Sequence, residues 1–264
     1  MNGQNLVDPT VFAVTFSNGT METPSYMNFS ATPLFGPGGP STNDINQNSV
    51  GDCYFLAPLS ATAKANPDRI RQSVVELGDG TCAVQLFRGG VANFVRVDAD
   101  LPRLSGGGGM AYAGLANGTK WGAIMEKAYA YFRKGDGQYA SIASGSADET
   151  FGAIGCTNGW SVRGPFQSSG GWLTDMQNWI NMGRAVTLST SWPVSGPDLV
   201  NQHVYAVDHV NFDSGGNATG VVLRNPWGTD NPNGASADGV NDGFITVSAN
   251  DVYWSALIAH FGNV

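Results

Sequence analysis

The chain has 264 residues, 42% of them apolar, which is enough for one large domain or two lobes around a substantial core. Its net charge is −8 and it carries only 13 Lys and Arg residues, so it lacks the basic patch that a nucleic-acid partner requires. No uninterrupted apolar span approaches about 20 residues, and residues 1–30 have neither the basic start nor the apolar middle of a secretory signal. The sequence therefore reads as soluble, with no transmembrane segment. Its composition is compatible with a secreted or an intracellular bacterial protein and assigns no compartment. Three cysteines, Cys53, Cys82 and Cys156, are too few for a disulfide scaffold and show no metal-ligand spacing. If Cys53 is free, the other two are either buried apolar thiols, the favoured reading, or one pair.

Residues 1–43 read as a leader or strap, with a strand-like run at 11–16 and a Pro/Gly-rich stretch at 33–40 that cannot be helical. Polar and turn-forming residues 47–52 then lead into Cys53. The Ala/Leu-rich run behind it, out to about Ala65, has the length of a buried helix. Cys53 thus falls at a helix N-terminus, where unpaired N–H groups and the helix dipole favour a thiolate. Asn66-Pro67 is a stop, and residues 68–75 suit a short further helix. The runs 82–87 and 92–98 flank Gly89-Gly90 as a β-hairpin would, and 105–109 is a flexible loop. Trp121, Ile124, Met125, Ala128, Tyr129 and Phe132 recur at helical spacing, which predicts an amphipathic helix over 121–134 packed on the Cys53 helix. The Ser/Gly-rich stretch 141–159 reads as the exit from a first lobe. A helix over 172–182, a strand over 185–191, strands over 203–210 and 220–225 around a turn at 213–217, a strand over 243–247 and a helix or turn over 248–258 complete the chain. The fold class is α+β, in three units: the strap 1–43, a helical lobe 44–157 carrying Cys53, and an antiparallel β lobe 158–264 carrying His203 and Asn225.

A thiol at a helix start needs a base, and the base needs an orienting group. His203 opens one strand and Asn225 closes the next, so a hairpin brings an amide oxygen beside an imidazole N–H. Trp227, just beyond Asn225-Pro226, is placed to shield that bond from water. Gln47, six residues before Cys53, can turn its amide toward a carbonyl under attack, with the Cys53 backbone N–H as second oxyanion donor. Taken singly these residues have plainer readings. Cys53 is then a buried hydrophobe, Asn225 a turn cap, Trp227 core, and His209 and His260 ordinary strand residues.

The set taken together resembles the protease core of the calpains, which are papain-fold cysteine endopeptidases. The segment Gln47-Asn48-Ser49-Val50-Gly51-Asp52-Cys53-Tyr54-Phe55-Leu56-Ala57 is similar to their Gln-Gly-x-x-Gly-Asp-Cys-Trp-x-Leu-Ala. Ile124-Met125-Glu126-Lys127-Ala128-Tyr129-Ala130, His203-Val204-Tyr205 and Arg224-Asn225-Pro226-Trp227-Gly228 resemble three further motifs of that family. The order Cys, His, Asn and the separation of 150 positions from Cys53 to His203 fit the papain pattern of roughly 130–150. The resemblance implies a two-lobe fold with a cleft between helical and β lobes, Cys53 as nucleophile, His203 as base, Asn225 as orienter and Gln47 as oxyanion donor. It also implies a first-lobe Ca²⁺ site with Asp44 and Glu126 as oxygen ligands. The second-lobe site is expected to be lost or weak, since Phe244 and Asn231 stand where acidic residues belong. Expected partners are protein or peptide substrates, and the chain reads as a core alone or as part of a larger multidomain protein. Two alternatives keep the fold: a catalytically inactive peptide-binding module, and a papain-fold acyltransferase.

Overall fold

The computed structural model describes residues 5–106, 109–164, 166–196, 198–231 and 238–264, so the expected loop at 105–109 falls partly outside the described residues. In the first part of the chain, strands β1 (Val14–Thr15), β2 (Met21–Glu22) and β3 (Ser25–Asn28) precede helices α1 (Cys53–Ala65) and α2 (Pro67–Ser73). Strands β4 (Val74–Glu76), β5 (Thr81–Arg88), β6 (Val91–Asp98) and β7 (Asp100–Arg103) follow, then helices α3 (Trp121–Phe132) and α4 (Ala147–Ala153). The second part runs β8 (Thr157–Ser161), α5 (Ser169–Asn181), β9 (Arg184–Thr190), β10 (Val204–Phe212), β11 (Ala218–Arg224), β12 (Phe244–Ser248), α6 (Ala249–Ser255) and β13 (Ala256–Asn263).

Helix α1 is the pivot. Every residue from Tyr54 to Ala63 is buried, as expected of an apolar run with no polar face, and the helix packs against α4 on one side and against β9 and β10 on the other. Pro58 inside it has no N–H for the Tyr54 carbonyl. Thr150 Oγ1 of α4 donates to that oxygen at 2.8 Å, so the bond the helix lacks comes from its neighbour. Phe55 of α1 stacks on Tyr129 of α3 with ring centroids 4.1 Å apart, the contact that the helical spacing predicted.

Two apolar cores result. One gathers α1, α3, α4 and the β5–β6 hairpin and takes in Val14 and Leu34 from the N-terminal segment; the other lies between α5, α6 and the larger sheet. That sheet has six strands in the order β12-β11-β10-β9-β13-β8, with antiparallel pairing throughout. The N-terminal segment is pinned as well as packed, since β3 pairs with β7 and the buried Lys127 of α3 binds Asp8 and Asp98 together.

Three elements differ from the local pattern. Residues 141–159, read as a linker-like exit, contain α4 and most of β8. The helix or turn expected over 248–258 is helix α6 as far as Ser255, and the chain then continues as β13, whose strand character comes from pairing on both sides, with β9 and β8. In the run 11–16 only Val14–Thr15 is strand.

Candidate active site

Residues 46–52 are clamped on two sides before the chain enters α1. Asn46 O accepts from Gly114 N, Ser49 N donates to Ala111 O, and Gln47 N donates to Pro226 O at 2.6 Å. Pro226 belongs to the turn after β11, so this last bond carries the loop before Cys53 to the sheet. Arg224, buried at the end of β11, reinforces it through Asn43 Oδ1 and Ile45 O.

His203 stands just before β10. Its backbone is tied to Thr190 of β9, with His203 N donating to Thr190 Oγ1 at 2.9 Å and Thr190 N donating to His203 O at 2.8 Å. The β10–β11 hairpin then sets Asn225 beside it, as the strand spacing predicted, with His203 Nε2 2.9 Å from Asn225 Oδ1. The amide orientation follows from its other partners. Asn225 Nδ2 donates to Asp230 O at 2.9 Å and Trp227 N donates to Oδ1 at 3.1 Å, so Oδ1 faces the ring and Nε2 carries the proton. Nδ1 is left as the basic nitrogen. Trp227 lies with its ring centroid 4.8 Å from that of His203, and Asn225 is wholly buried. Gly243 makes the turn possible: it has φ +85°, its carbonyl accepts from Asn225 N, and a Cβ there would meet the Arg224 guanidinium at 2.1 Å.

Gln47, Gly51, Cys53, Ser144, Gln202, His203 and Trp227 line one cleft of about 430 Å³. A second cavity of about 400 Å³ shares Gln202 and His203 and continues along Ser146, Thr190, Trp192 and Leu257. Sequence reasoning did not single out Ser144 and Gln202. Their one signal was a position beside Gly145 and His203 respectively.

The electrostatics depart from expectation. Burial pushes the Cys53 thiol up to about 11, outweighing the backbone N–H groups of Val204 and Tyr54 near the sulfur, and the Asp52 charge works in the same direction as burial. Burial likewise lowers His203 to about 4, against the hydrogen bond to Asn225, which raises it. The resting pair at neutral pH is thus a neutral thiol and a neutral imidazole. The thiolate favoured by the helix N-terminus is overruled by desolvation, which no local pattern shows. Gln47 also differs in detail: it lines the cleft, yet its Nε2 donates to Val50 O at 2.6 Å. All three cysteines are free, and Cys82 and Cys156 are separate buried thiols.

The residues that resemblance assigns to Ca²⁺ do not fit the ion. Asp44 caps the turn Thr42–Asp44 by accepting from Ser41 N, and its oxygens also take Asn117 Nδ2 at 3.0 Å and Trp121 Nε1 at 2.9 Å. Both oxygens of Glu126 accept from Ala113 N at 3.0 Å. Both carboxylates are thus already engaged by protein donors, and among the described residues no three His, Cys, Asp or Glu side chains form a group that could hold a metal.

An α+β chain that places a cysteine, a histidine and an asparagine around one cleft between a helix start and a sheet defines the class of papain-like thiol enzymes. Comparison with known proteins makes this specific. Residues 23–249 match the model of the calpain family of cysteine proteases, and the chain belongs to that family. The calpain-1 catalytic subunits of Bos taurus and Sus scrofa are each 30% identical over 229 residues, which is 80% of this chain and 31% of theirs. The calpain-2 catalytic subunit of Homo sapiens is 28% identical over 214 residues, 75% of this chain and 30% of that protein. The chain therefore spans about a third of the length of these relatives, and its architecture is that of a papain-like calpain protease core. Among the described residues no helix is long and apolar enough to cross a membrane.

Proposed function

We propose that this chain is a cysteine endopeptidase that hydrolyses peptide bonds in protein or peptide substrates through a thioester at Cys53. The observation that carries the reading is the meeting, at one cleft, of Cys53 from the start of α1 and a His203 whose Nε2 is committed to Asn225. With Nε2–H donated to Asn225 Oδ1, Nδ1 takes the thiol proton as sulfur attacks the scissile carbonyl. Because both partners start neutral, that transfer belongs to the attack itself and not to a preformed ion pair. The Cys53 N–H and the Gln47 amide stabilise the oxyanion, the imidazolium returns its proton to the leaving amine, and water activated at His203 hydrolyses the thioester. No step is routed through calcium. The division into strap 1–43, helical lobe 44–157 and β lobe 158–264 is part of this reading, and it is supported by two separate apolar cores, one holding α1 and the other built on α5, α6 and the six-stranded sheet.

The test is cleavage of an unstructured protein such as casein by the chain and by Cys53→Ala. Cleavage by the first and none by the second, with equal melting temperatures, is the expected result; cleavage by Cys53→Ala overturns it. Two further results would favour the alternatives. If Cys53 resists iodoacetamide and no cleavage occurs, the chain is an inactive peptide-binding module. If added amines are acylated in preference to water, it is an acyltransferase.

A further inference from the structure

Among the described residues only three other than glycine adopt the left-handed backbone region, Asn117, Ser144 and Gln202. Asparagine enters that region readily, which covers Asn117. Ser144 at φ +64° and Gln202 at φ +51° both border the cleft, one from the loop before α4 and the other from the loop before β10. A glutamine there sets its Cβ against the following carbonyl, and such strain collects where a side chain has a task outside the fold.

The backbone at Gln202 has no freedom to relax. Thr190 Oγ1 donates to Val200 O at 2.6 Å and accepts from His203 N, Val200 N donates to Tyr205 Oη at 2.9 Å, and Gln202 N donates to Ser191 O at 3.2 Å. A glycine would take the same φ without steric cost. Nor does the side chain offset the strain by bonding within the fold. It is exposed, and among the described residues its carboxamide makes no hydrogen bond.

Gln202 stands where two cavities join. It lines the cleft with Cys53, and it lines the second cavity with Trp192, Val204, Leu257 and Ile258. Trp192 and Leu257 are 67% and 60% exposed, apolar surface that an entering side chain would cover. A peptide with its scissile carbonyl at Cys53 and a neighbouring side chain in the second cavity lays the peptide unit between them across Gln202. A carboxamide has both a donor and an acceptor, the complement of a peptide N–H and C=O.

We propose that Gln202 is a substrate-binding residue whose side-chain amide hydrogen-bonds the peptide unit adjoining the scissile bond, on the side of the second cavity. This rests on the reading of the cleft as a peptide site.

The experiment measures binding apart from cleavage. In the Cys53→Ala chain, the Kd of a short fluorescein-labelled casein peptide is read by anisotropy, with and without a second change at Gln202. Gln202→Met keeps the length and the strain but has no amide, and Gln202→Gly removes side chain and strain together. Each is expected to raise Kd about tenfold, equivalent to about 1.4 kcal/mol. With Cys53 restored, both should raise KM by a similar factor and leave kcat within about threefold. Gln202→Gly should melt no more than about 4 °C below the parent, because no bond of the fold is lost. A Kd for either variant within about twofold of Cys53→Ala overturns the proposal. So does a larger fall in Tm, an effect on kcat in place of KM, or no peptide binding by the Cys53→Ala chain. Failure of the protease reading would look different, as Gln202-dependent peptide binding with no cleavage by the parent.

Discussion

Replacing Asn225 by alanine tests the geometry of the cleft most directly. The side chain serves three partners inside a fully buried site: it accepts from His203 Nε2 and Trp227 N and donates to Asp230 O. Truncation strips two buried donors of their acceptor, at about 1–3 kcal/mol each. Because the imidazole borders a cleft that water can enter, the loss should be near 3 kcal/mol, or roughly 6–12 °C in Tm for a domain of this size. The effect on catalysis is separate. Without Oδ1 nothing keeps the proton on Nε2 or the ring at its angle, so Nδ1 presents a lone pair to the thiol only part of the time. A fall of at least about 100-fold in kcat/KM is expected, equivalent to about 2.7 kcal/mol. Thermal melting and steady-state peptide hydrolysis, with Cys53→Ala as blank, measure the two losses independently. A variant that melts as expected yet hydrolyses within about threefold of the parent would show that His203 needs no orienting amide, and the mechanism proposed above would be wrong.

Four other predictions concern the titratable and charged groups. His203 titrates near 4 when folded and near 6.5 when unfolded, so below pH 6.5 the unfolded chain binds a proton that the folded one refuses. Stability should therefore fall by about 3 kcal/mol as pH drops from 6.5 to 4 and level off below, as denaturant titrations across that range would show. The acid limb of kcat/KM should lie near 4; a limb near 6.5 would contradict the desolvated imidazole. Lys127→Met removes the cation between Asp8 and the buried Asp98, leaving an uncompensated charge, and should cost about 3–5 kcal/mol in urea unfolding. An unchanged midpoint would show that the ion pair has no net value. Excess calcium or chelator should leave Tm unchanged to within about 1 °C, because the carboxylates of Asp44 and Glu126 are held by protein donors and no three acidic side chains gather there among the described residues; a clear rise with calcium would show that those bonds yield to the ion.

Local pattern alone determined the elements that carry the chemistry. An apolar run with no polar face can only be a buried helix, so α1 and the position of Cys53 at its start were legible, as were α3 and the β5–β6 hairpin. Asn225 and His203 were legible as partners because two strands joined by a short turn must place their outer ends together. Tertiary structure decided what depends on segments far apart in the chain. Strands β8 and β13 exist because neighbours pair with them, and α4 supplies the bond that Pro58 denies to α1. The protonation of Cys53 and His203, the bond of Gln47 to Val50, the burial of Asp52 and the engaged carboxylates of Asp44 and Glu126 belong to the same class. Each is set by how much water is excluded and by which donor from elsewhere in the chain is left within reach, and both are properties of the assembled packing.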